Sequence, residues 1–126
     1  MHIVQPISSR PVVLVADDEP VIADTLALIL RQNGFDPIAA YSGDAALTAA
    51  QAKRPDALVL DVIMNGMSGI EAALRIRELY PGCKTILISG DGVTRDLVAE
   101  AGALGETIEL LAKPFPPEEL LAKLRA

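Results

Sequence analysis

Short apolar runs alternate with helical patterns five times along this chain of 126 residues. An apolar run of about four to eight residues between turn signals is typical of a buried strand, whereas apolar residues spaced by three and four indicate a helix. Strands that alternate with helices of about 10–15 residues form βαβ units, in which the strands are parallel and the crossovers right-handed. The alternation therefore predicts a single α/β domain built on a five-stranded parallel sheet.

The predicted strands are aliphatic, because aromatic residues make up only 3% of the sequence. Strands are expected at about Pro11–Ala16, Phe35–Tyr41, Ala57–Asp61, Cys83–Ser89 and Thr107–Ala112. Helices are expected at about Glu19–Asn33, Ser42–Lys53 with Ser42 as the cap, Gly69–Tyr80 and Thr94–Ala103, and a last one opens at Pro116-Pro117. Serine, glycine and proline at the ends of these segments support the boundaries.

The composition argues against several classes of protein. A net charge of -6 does not favour nucleic acid as a direct ligand, since phosphate backbones need clustered lysine and arginine. Met1–Arg10 has no apolar core typical of a signal peptide, and no stretch approaches the roughly 20 apolar residues of a membrane span. The single cysteine, Cys83, fits a reducing compartment. We expect a cytoplasmic domain over residues 11–126 that follows an N-terminal tail over residues 1–10.

Polar residues follow four of the apolar runs at the point where each run ends. Asp17-Asp18 follows the first strand, Asp61 ends the third, Ser89 ends the fourth and Lys113 follows the fifth. In an open parallel sheet, ligands bind outside the carboxyl ends of the strands. The sequence therefore predicts that three carboxylates, a hydroxyl and an ammonium group meet at one edge of the sheet.

This set of groups suits metal-assisted phosphoryl chemistry. Clustered carboxylates raise one another's pKa or require a cation, and Mg²⁺ takes oxygen ligands and bridges to phosphate. Asp61 is the candidate nucleophile, because a carboxylate can accept a phosphoryl group as an acyl phosphate. Ser89 and Lys113 would then contact the phosphoryl oxygens. The alternative for Asp17-Asp18 alone is that these acids merely favour the dipole of the following helix.

Four motifs in order carry a resemblance to a known family. They are Val15-Ala16-Asp17-Asp18-Glu19-Pro20, Leu60-Asp61-Val62-Ile63-Met64 with Met67-Ser68-Gly69, Ser89-Gly90, and Lys113-Pro114-Phe115. With them, the sequence resembles the receiver domain of bacterial two-component response regulators over nearly its whole length after Arg10. The resemblance implies a flavodoxin-like (βα)5 three-layer sandwich with strand order 2-1-3-4-5.

The resemblance also implies a role for each site residue. Asp61 takes the phosphoryl group from a histidine kinase or a histidine phosphotransfer protein, and partner binding changes as a result. Asp18, Asp61 and the backbone carbonyl of Ile63 bind Mg²⁺ directly, and Asp17 binds it through water. Ser89 and Lys113 respond to the phosphoryl group. The Lys113-Pro114 peptide bond is expected to be cis.

Two positions depart from the family pattern. Asn65 stands where a proline is usual, which predicts a less rigid loop after Asp61. Leu110 stands where an aromatic residue is usual, at the end of a longer stretch that begins at Leu104. We therefore expect activation to work through Ser89 and backbone shifts around the fourth and fifth strands. The apolar Ile63 is expected to restrict water and to slow the decay of the acyl phosphate.

Several functions remain open at this point. The leading hypothesis is a phosphoacceptor signalling module, not a turnover enzyme, that acts on a downstream effector. The protein could instead be the receiver of a hybrid kinase or of a longer regulator. A degenerate receiver that never accepts phosphate is a further alternative. A phosphohydrolase of the haloacid dehalogenase type fits less well, because such enzymes usually place two aspartates at i and i+2 after one strand, where this sequence has Asp61-Val62-Ile63.

Overall fold

Five parallel strands form one sheet in the order β2-β1-β3-β4-β5. The computed structural model describes residues 10–90, 102 and 108–126. The strands are β1 (Val12–Ala16), β2 (Asp36–Ala40), β3 (Ala57–Asp61), β4 (Lys84–Ser89) and β5 (Ile108–Ala112). The predicted α/β class and the strand order 2-1-3-4-5 are confirmed, and the strand boundaries agree with the prediction to within one residue.

Four helices lie in the described ranges: α1 (Pro20–Gln32), α2 (Gly43–Ala52), α3 (Gly69–Leu79) and α4 (Pro117–Arg125). Each agrees with a predicted helix to within one residue at the ends that were predicted. The predicted helix at about Thr94–Ala103 lies outside the described residues, apart from Gly102. No helix in the described part of the protein has the length and apolar character needed to cross a membrane.

Two apolar clusters cover the two faces of the sheet. On one face, Leu58 and Leu60 of β3 pack with Ile70 and Ile76 of α3, and α2 contributes small alanines. On the other face, the alternate residues of β1 and β3 pack against α1 and α4, with Leu30 fully buried. Because successive side chains of a strand point to opposite faces, each strand contributes to both clusters. The arrangement is the expected three-layer sandwich.

Two of the helices begin at the carboxyl edge of the sheet with a serine cap. Ser42 Oγ accepts a hydrogen bond from the backbone N–H of Ala45 at 3.0 Å, and Ser68 Oγ accepts one from the N–H of Glu71 at 3.1 Å. Such serine caps satisfy N–H groups that have no partner inside the helix. The cap at Ser42 was predicted from the sequence, and both caps end short loops that begin at a strand's last residue.

The predicted N-terminal tail, residues 1–10, is described only at Arg10. The Arg10 guanidinium donates hydrogen bonds to the carbonyl oxygens of Arg31 at 3.2 Å and Phe35 at 3.4 Å. Both carbonyls lie where α1 ends and β2 approaches, at the amino edge of the sheet. The last residue of the predicted tail is therefore attached to the folded domain.

Candidate functional site

The strand register brings the predicted polar residues to one edge. Ala16 pairs with Leu60, so that Asp17 and Asp61 follow at the same level on neighbouring strands. Asp61 in turn pairs with Ile88, the residue before Ser89. Ser89 pairs with Ala112, which places Lys113 just beyond the end of β5. The carboxyl edge of β1, β3, β4 and β5 therefore carries these groups side by side, as the sequence predicted.

Asp61 is a buried carboxylate with a defined partner on each oxygen. Asp61 is only 7% exposed. Oδ2 accepts a hydrogen bond from Lys113 Nζ at 2.9 Å, and Oδ1 accepts one from the backbone N–H of Ile63 at 3.2 Å. The neighbouring Val62 N–H donates to the Ile88 carbonyl oxygen at 3.0 Å, which fixes the backbone just after the carboxylate.

Asp17 is more deeply buried, at 2% exposure, and one of its oxygens lacks a hydrogen bond among the residues that the structure describes. Oδ1 accepts from the backbone N–H of Glu19 at 2.9 Å. Oδ2 lies 3.7 Å from Lys113 Nζ, which is an ion-pair distance but too long for a hydrogen bond. Burial raises the pKa of Asp17 and the nearby Asp61 raises it further, against the opposing pull of the Glu19 N–H and of Lys113.

Lys113 joins the two carboxylates. Burial alone would lower the pKa of its ammonium group, but the hydrogen bond to Asp61 and the charges of Asp61 and Asp17 outweigh burial and raise the pKa. The lysine is therefore held in its charged form at neutral pH. Its backbone N–H donates to the Ser89 carbonyl oxygen at 2.8 Å, so that the same residue also continues the pairing of β5 with β4.

The side chains of Asp18, Ser89 and Ile63 surround this group, and none of them forms a hydrogen bond with its side chains among the described residues; Ile63 and Ser89 contact the group only through their backbones. Asp18 is half-buried, and its Oδ2 accepts a hydrogen bond from the backbone N–H of Asn65 at 3.1 Å. Ser89 is half-buried and Ile63 is 45% exposed. The contacts thus bring together Asp17, Asp61 and Lys113, whereas the Asp18 carboxylate is turned toward the loop after β3.

The donor groups at this edge suit a hard divalent cation. Within residues 10–90 and 108–126, no three acidic, histidine or cysteine side chains form a ready-made metal cluster. The buried Asp17 Oδ2, however, is a carboxylate oxygen without a hydrogen-bond donor, and such an atom is costly to bury unless a cation or donor meets it. The available ligands are all oxygens, which is the preference of Mg²⁺. The residues present therefore fit the predicted ion.

Gly69 was assigned no individual role from the sequence, although it contacts the backbone of Asp61. A Cβ atom built at Gly69 would overlap the carbonyl oxygen of Asp61 and would lie 2.8 Å from its carbonyl carbon. The Gly69 N–H donates to the Val62 carbonyl oxygen at 3.0 Å. Only a residue without a side chain lets α3 begin this close to the end of β3. The Ser68-Gly69 pair, a helix cap followed by a glycine, was the available signal.

The two departures from the family pattern lie in different surroundings. Asn65 is exposed in the loop between β3 and α3. Leu110 lies on β5 and is 43% exposed, where the family pattern has an aromatic residue. Most of the longer stretch that precedes it lies outside the described residues. The predicted cis bond between Lys113 and Pro114 is present.

Comparison with known proteins identifies the same domain from sequence. The response regulator receiver domain family matches residues 13–125. The sequence is 38% identical over 114 residues to the probable transcriptional regulatory protein TcrX of Mycobacterium tuberculosis, which covers 90% of this protein and 48% of that one. It is 37% identical over 119 residues to the DNA-binding response regulator MtrA of Mycolicibacterium smegmatis, which covers 93% and 50%. The chain spans about half the length of these relatives.

Solved structures agree with the fold. The Vibrio cholerae chemotaxis protein CheY4 superposes with a TM-score of 0.82 at 29% identity, over 93% of this protein and 98% of that one. A Burkholderia pseudomallei response regulator, solved with a phosphorylated aspartic acid, a calcium ion and citrate, superposes with a TM-score of 0.80 at 28% identity over 90% and 66% of the two proteins. This chain therefore belongs to the receiver domains of two-component response regulators, which are signalling modules rather than enzymes that turn over small substrates.

Proposed function

We propose that Asp61 is the phosphoacceptor of a two-component phosphorelay. The observation that carries the proposal is the buried pair of carboxylates, Asp17 and Asp61, that faces a single ammonium group, Lys113. The pair concentrates negative charge where, in the described part of the chain, one oxygen of Asp17 has no hydrogen bond. Such an arrangement costs stability in an isolated domain, and it becomes favourable when a cation and a phosphoryl group enter the site.

The proposed reaction transfers a phosphoryl group from a phosphohistidine donor. A carboxylate oxygen of Asp61 attacks the phosphorus atom, a new P–O bond forms, and the P–N bond to the donor histidine breaks with its electron pair left on the imidazole nitrogen. The Lys113 ammonium holds the Asp61 carboxylate before the transfer and pairs with a phosphoryl oxygen afterwards. Ser89 donates its hydroxyl to another phosphoryl oxygen.

The proposed cation site uses the acids next to the phosphoacceptor. Asp18, Asp61 and the backbone carbonyl of Ile63 would hold Mg²⁺ directly, and Asp17 would do so through water. When bound, the ion neutralises charge on the phosphoryl oxygens during transfer. The Asp18 carboxylate, which now accepts the N–H of Asn65, would have to share or exchange that contact.

The partners of the domain follow from the same proposal. We infer a histidine kinase or a histidine phosphotransfer protein as the donor, and a downstream effector that reads the phosphorylated state. Residues 11–126 form the receiver unit after a tail over residues 1–10, with the cytoplasm as its location and no direct contact with nucleic acid or membrane. Because TcrX and MtrA are about twice as long as the matched region, the receiver of a longer regulator is a second candidate.

A phosphorylation experiment tests this function directly. The protein is incubated with acetyl phosphate and Mg²⁺ and its intact mass is followed, with Asp61→Asn as the test variant and Asp44→Asn as the matched control, because Asp44 is an exposed acid in the first turn of α2. We expect one phosphoryl group on the wild type and on Asp44→Asn, none on Asp61→Asn, and none on the wild type when a chelator removes Mg²⁺.

Other outcomes of the same experiment select the alternatives. Labelling that survives in Asp61→Asn would remove Asp61 as the acceptor. The absence of any label, together with no response to beryllofluoride, would indicate a degenerate receiver that acts only by binding. Continuous release of phosphate from a panel of small phosphate esters, rather than a single labelling event, would indicate a phosphohydrolase.

A further inference from the structure

The sequence has two asparagines, Asn33 and Asn65, and a glycine follows each of them. In an Asn-Gly pair the glycine has no Cβ to block its own backbone nitrogen, and asparagine is a chemically labile residue. From the surroundings of the two pairs, we propose that Asn65 is a site of spontaneous deamidation next to the acidic edge, and that the fold protects Asn33 from the same reaction.

The reaction uses only groups of the protein and water. The backbone nitrogen of Gly66 loses a proton to solvent and attacks Cγ of Asn65, so that a new C–N bond closes a five-membered succinimide ring. The bond between Cγ and Nδ2 breaks, and the amide nitrogen takes up a proton and leaves as ammonia. Water then opens either carbonyl of the ring, which leaves an aspartate or an isoaspartate at position 65.

Asn33 is held by three hydrogen bonds at the end of α1. Its amide Nδ2 donates to the Ile29 carbonyl oxygen at 2.8 Å, and its backbone N–H donates to the Leu30 carbonyl oxygen at 3.0 Å. Its own carbonyl oxygen accepts from the Arg125 guanidinium at 3.1 Å. The Asn33 amide must leave Ile29 before its Cγ can approach the Gly34 nitrogen, so the folded protein opposes the attack geometry.

Among the described residues, fewer hydrogen bonds hold Asn65 than hold Asn33. Asn65 is exposed in a loop without helix or strand, and the contact recorded for it in the described residues is the hydrogen bond from its backbone N–H to Asp18 Oδ2. No described hydrogen bond restrains its side-chain amide. The glycine after each asparagine does not explain why the two Asn-Gly pairs should react at different rates. Gly34 has a φ of 94° and Gly66 a φ of 76°, and nothing lies within 4 Å of a Cβ built at either one.

The product changes the charge of the acidic edge. The backbone N–H of residue 65 remains in both products, and the new carboxylate lies within the same residue that contacts Asp18. A further negative charge thus enters the loop that follows Asp61. Its effect on phosphoryl acceptance rests on the proposed function, because an anionic phosphoryl donor must approach this edge. The modification itself does not depend on that function.

Mass spectrometry of the aged protein tests the proposal. The full-length protein is incubated at physiological pH and temperature, with parallel samples unfolded in urea, and is then digested with trypsin under mildly acidic conditions alongside a sample taken at the start. Lys53 lies between the two asparagines, so that they fall on different peptides. The mass increase on conversion of amide to carboxylate is followed for each peptide, and Asn65→Gln serves as a matched variant that closes the ring far less readily.

We expect the Asn65 peptide of the folded protein to convert at least about fivefold faster than the Asn33 peptide, which is the protection that one hydrogen bond provides. In urea the two rates should become similar, and Asn65→Gln should remove the faster signal. Equal rates in the folded protein, or faster conversion at Asn33, would overturn the proposal. So would a folded protein in which neither peptide converts while both convert in urea. None of these readouts requires phosphorylation of Asp61.

Discussion

The charged side chains at the two edges of the sheet differ in the partners that they bind. At the amino edge, Asp56 Oδ2 accepts the backbone N–H of Val12 at 2.7 Å, and the Arg10 and Arg125 guanidinium groups donate to carbonyl oxygens around the end of α1. At the carboxyl edge, Asp17 and Asp61 share one ammonium group, and within residues 10–90 and 108–126 an oxygen of Asp17 has no hydrogen bond. The charged groups named at the amino edge thus bind backbone groups of the fold, whereas two carboxylates at the carboxyl edge are neutralised by one ammonium group.

The largest effect on stability is expected from a substitution that disturbs backbone packing at the carboxyl edge. Gly69→Ala should lower the free energy of unfolding by about 3 kcal/mol, because the added methyl group must displace the backbone of Asp61. It should also reduce phosphorylation of Asp61. Gly82→Ala is the matched control at the amino edge, since nothing lies within 4 Å of a Cβ built there. Urea unfolding followed by circular dichroism measures both variants, and equal stability of the two would contradict the packing argument.

A buried thiol at the amino edge should make stability depend on alkaline pH. Burial raises the pKa of Cys83 from 9.0 to about 11. The unfolded protein therefore loses this proton at a pH where the folded protein still holds it, so the free energy of unfolding falls as pH rises from 9.0 to about 11. The loss should reach about 3 kcal/mol.

The variant Cys83→Ala isolates this contribution, because it removes the thiol and leaves every other titratable group of the protein in place. The gap in unfolding free energy between the wild type and the variant should be constant below the ordinary thiol pKa and should change above it in disfavour of the wild type. A gap that stays constant across the whole alkaline range would show that the thiol does not retain its proton in the folded state.

Neutralising an acid should have opposite signs at the two edges. With a chelator present, Asp17→Asn should raise the free energy of unfolding by about 1 kcal/mol, because it removes a buried charge next to Asp61. Asp56→Ala should lower it by about 1 kcal/mol, because the N–H of Val12 loses its acceptor.

Acid pH sharpens the prediction for Asp17. Its pKa is raised in the folded state, so the wild type gains stability relative to the variant as pH falls and the carboxyl group takes up a proton. The advantage of Asp17→Asn should therefore be greatest at neutral pH and should shrink toward pH 3.8, the ordinary value for this group. Chemical denaturation at several pH values measures this, and an advantage that grows on acidification would refute the assignment.

The smallest effect is expected from an ion pair in open solvent. Lys53 Nζ lies 2.9 Å from Asp36 Oδ2, the same distance that separates Lys113 Nζ from Asp61 Oδ2. The Lys53 and Asp36 side chains are 55% and 39% exposed, however. Lys53→Gln should change the unfolding free energy by less than about 0.5 kcal/mol, and added salt should reduce the change. A larger loss than that caused by Lys113→Gln would break the contrast between the edges.

The fold was accessible from sequence because it depends on local patterns. Aliphatic runs ended by turn residues located the described strands, and the cap at Ser42 was identified from its residue type. The polar residues at the strand ends located the edge that carries the site, since parallel strands must finish together. Asp17, Asp61 and Lys113 meet there as expected.

The detailed contacts of the site could not be predicted from the sequence, because they join segments that are far apart in the chain. The turn of the Asp18 carboxylate toward Asn65 joins residues that are 47 positions apart. The contact of Gly69 with Asp61 depends on how closely α3 approaches β3; the Ser68-Gly69 pair indicates a helix start but does not give that distance. The attachment of Arg10 to the end of α1 likewise arises from tertiary packing, and no sequence pattern in residues 1–10 indicated it.

Lys113 connects the ends of three strands. Its backbone belongs to the pairing of β5 with β4 through Ser89, and its ammonium group reaches Asp61 at the end of β3. A covalent group added to Asp61 must either share this ammonium or displace it. In the first case the lysine side chain is pulled toward a larger anion, and in the second it is released. Either response reaches the end of β5 through a single side chain, without an aromatic residue at position 110.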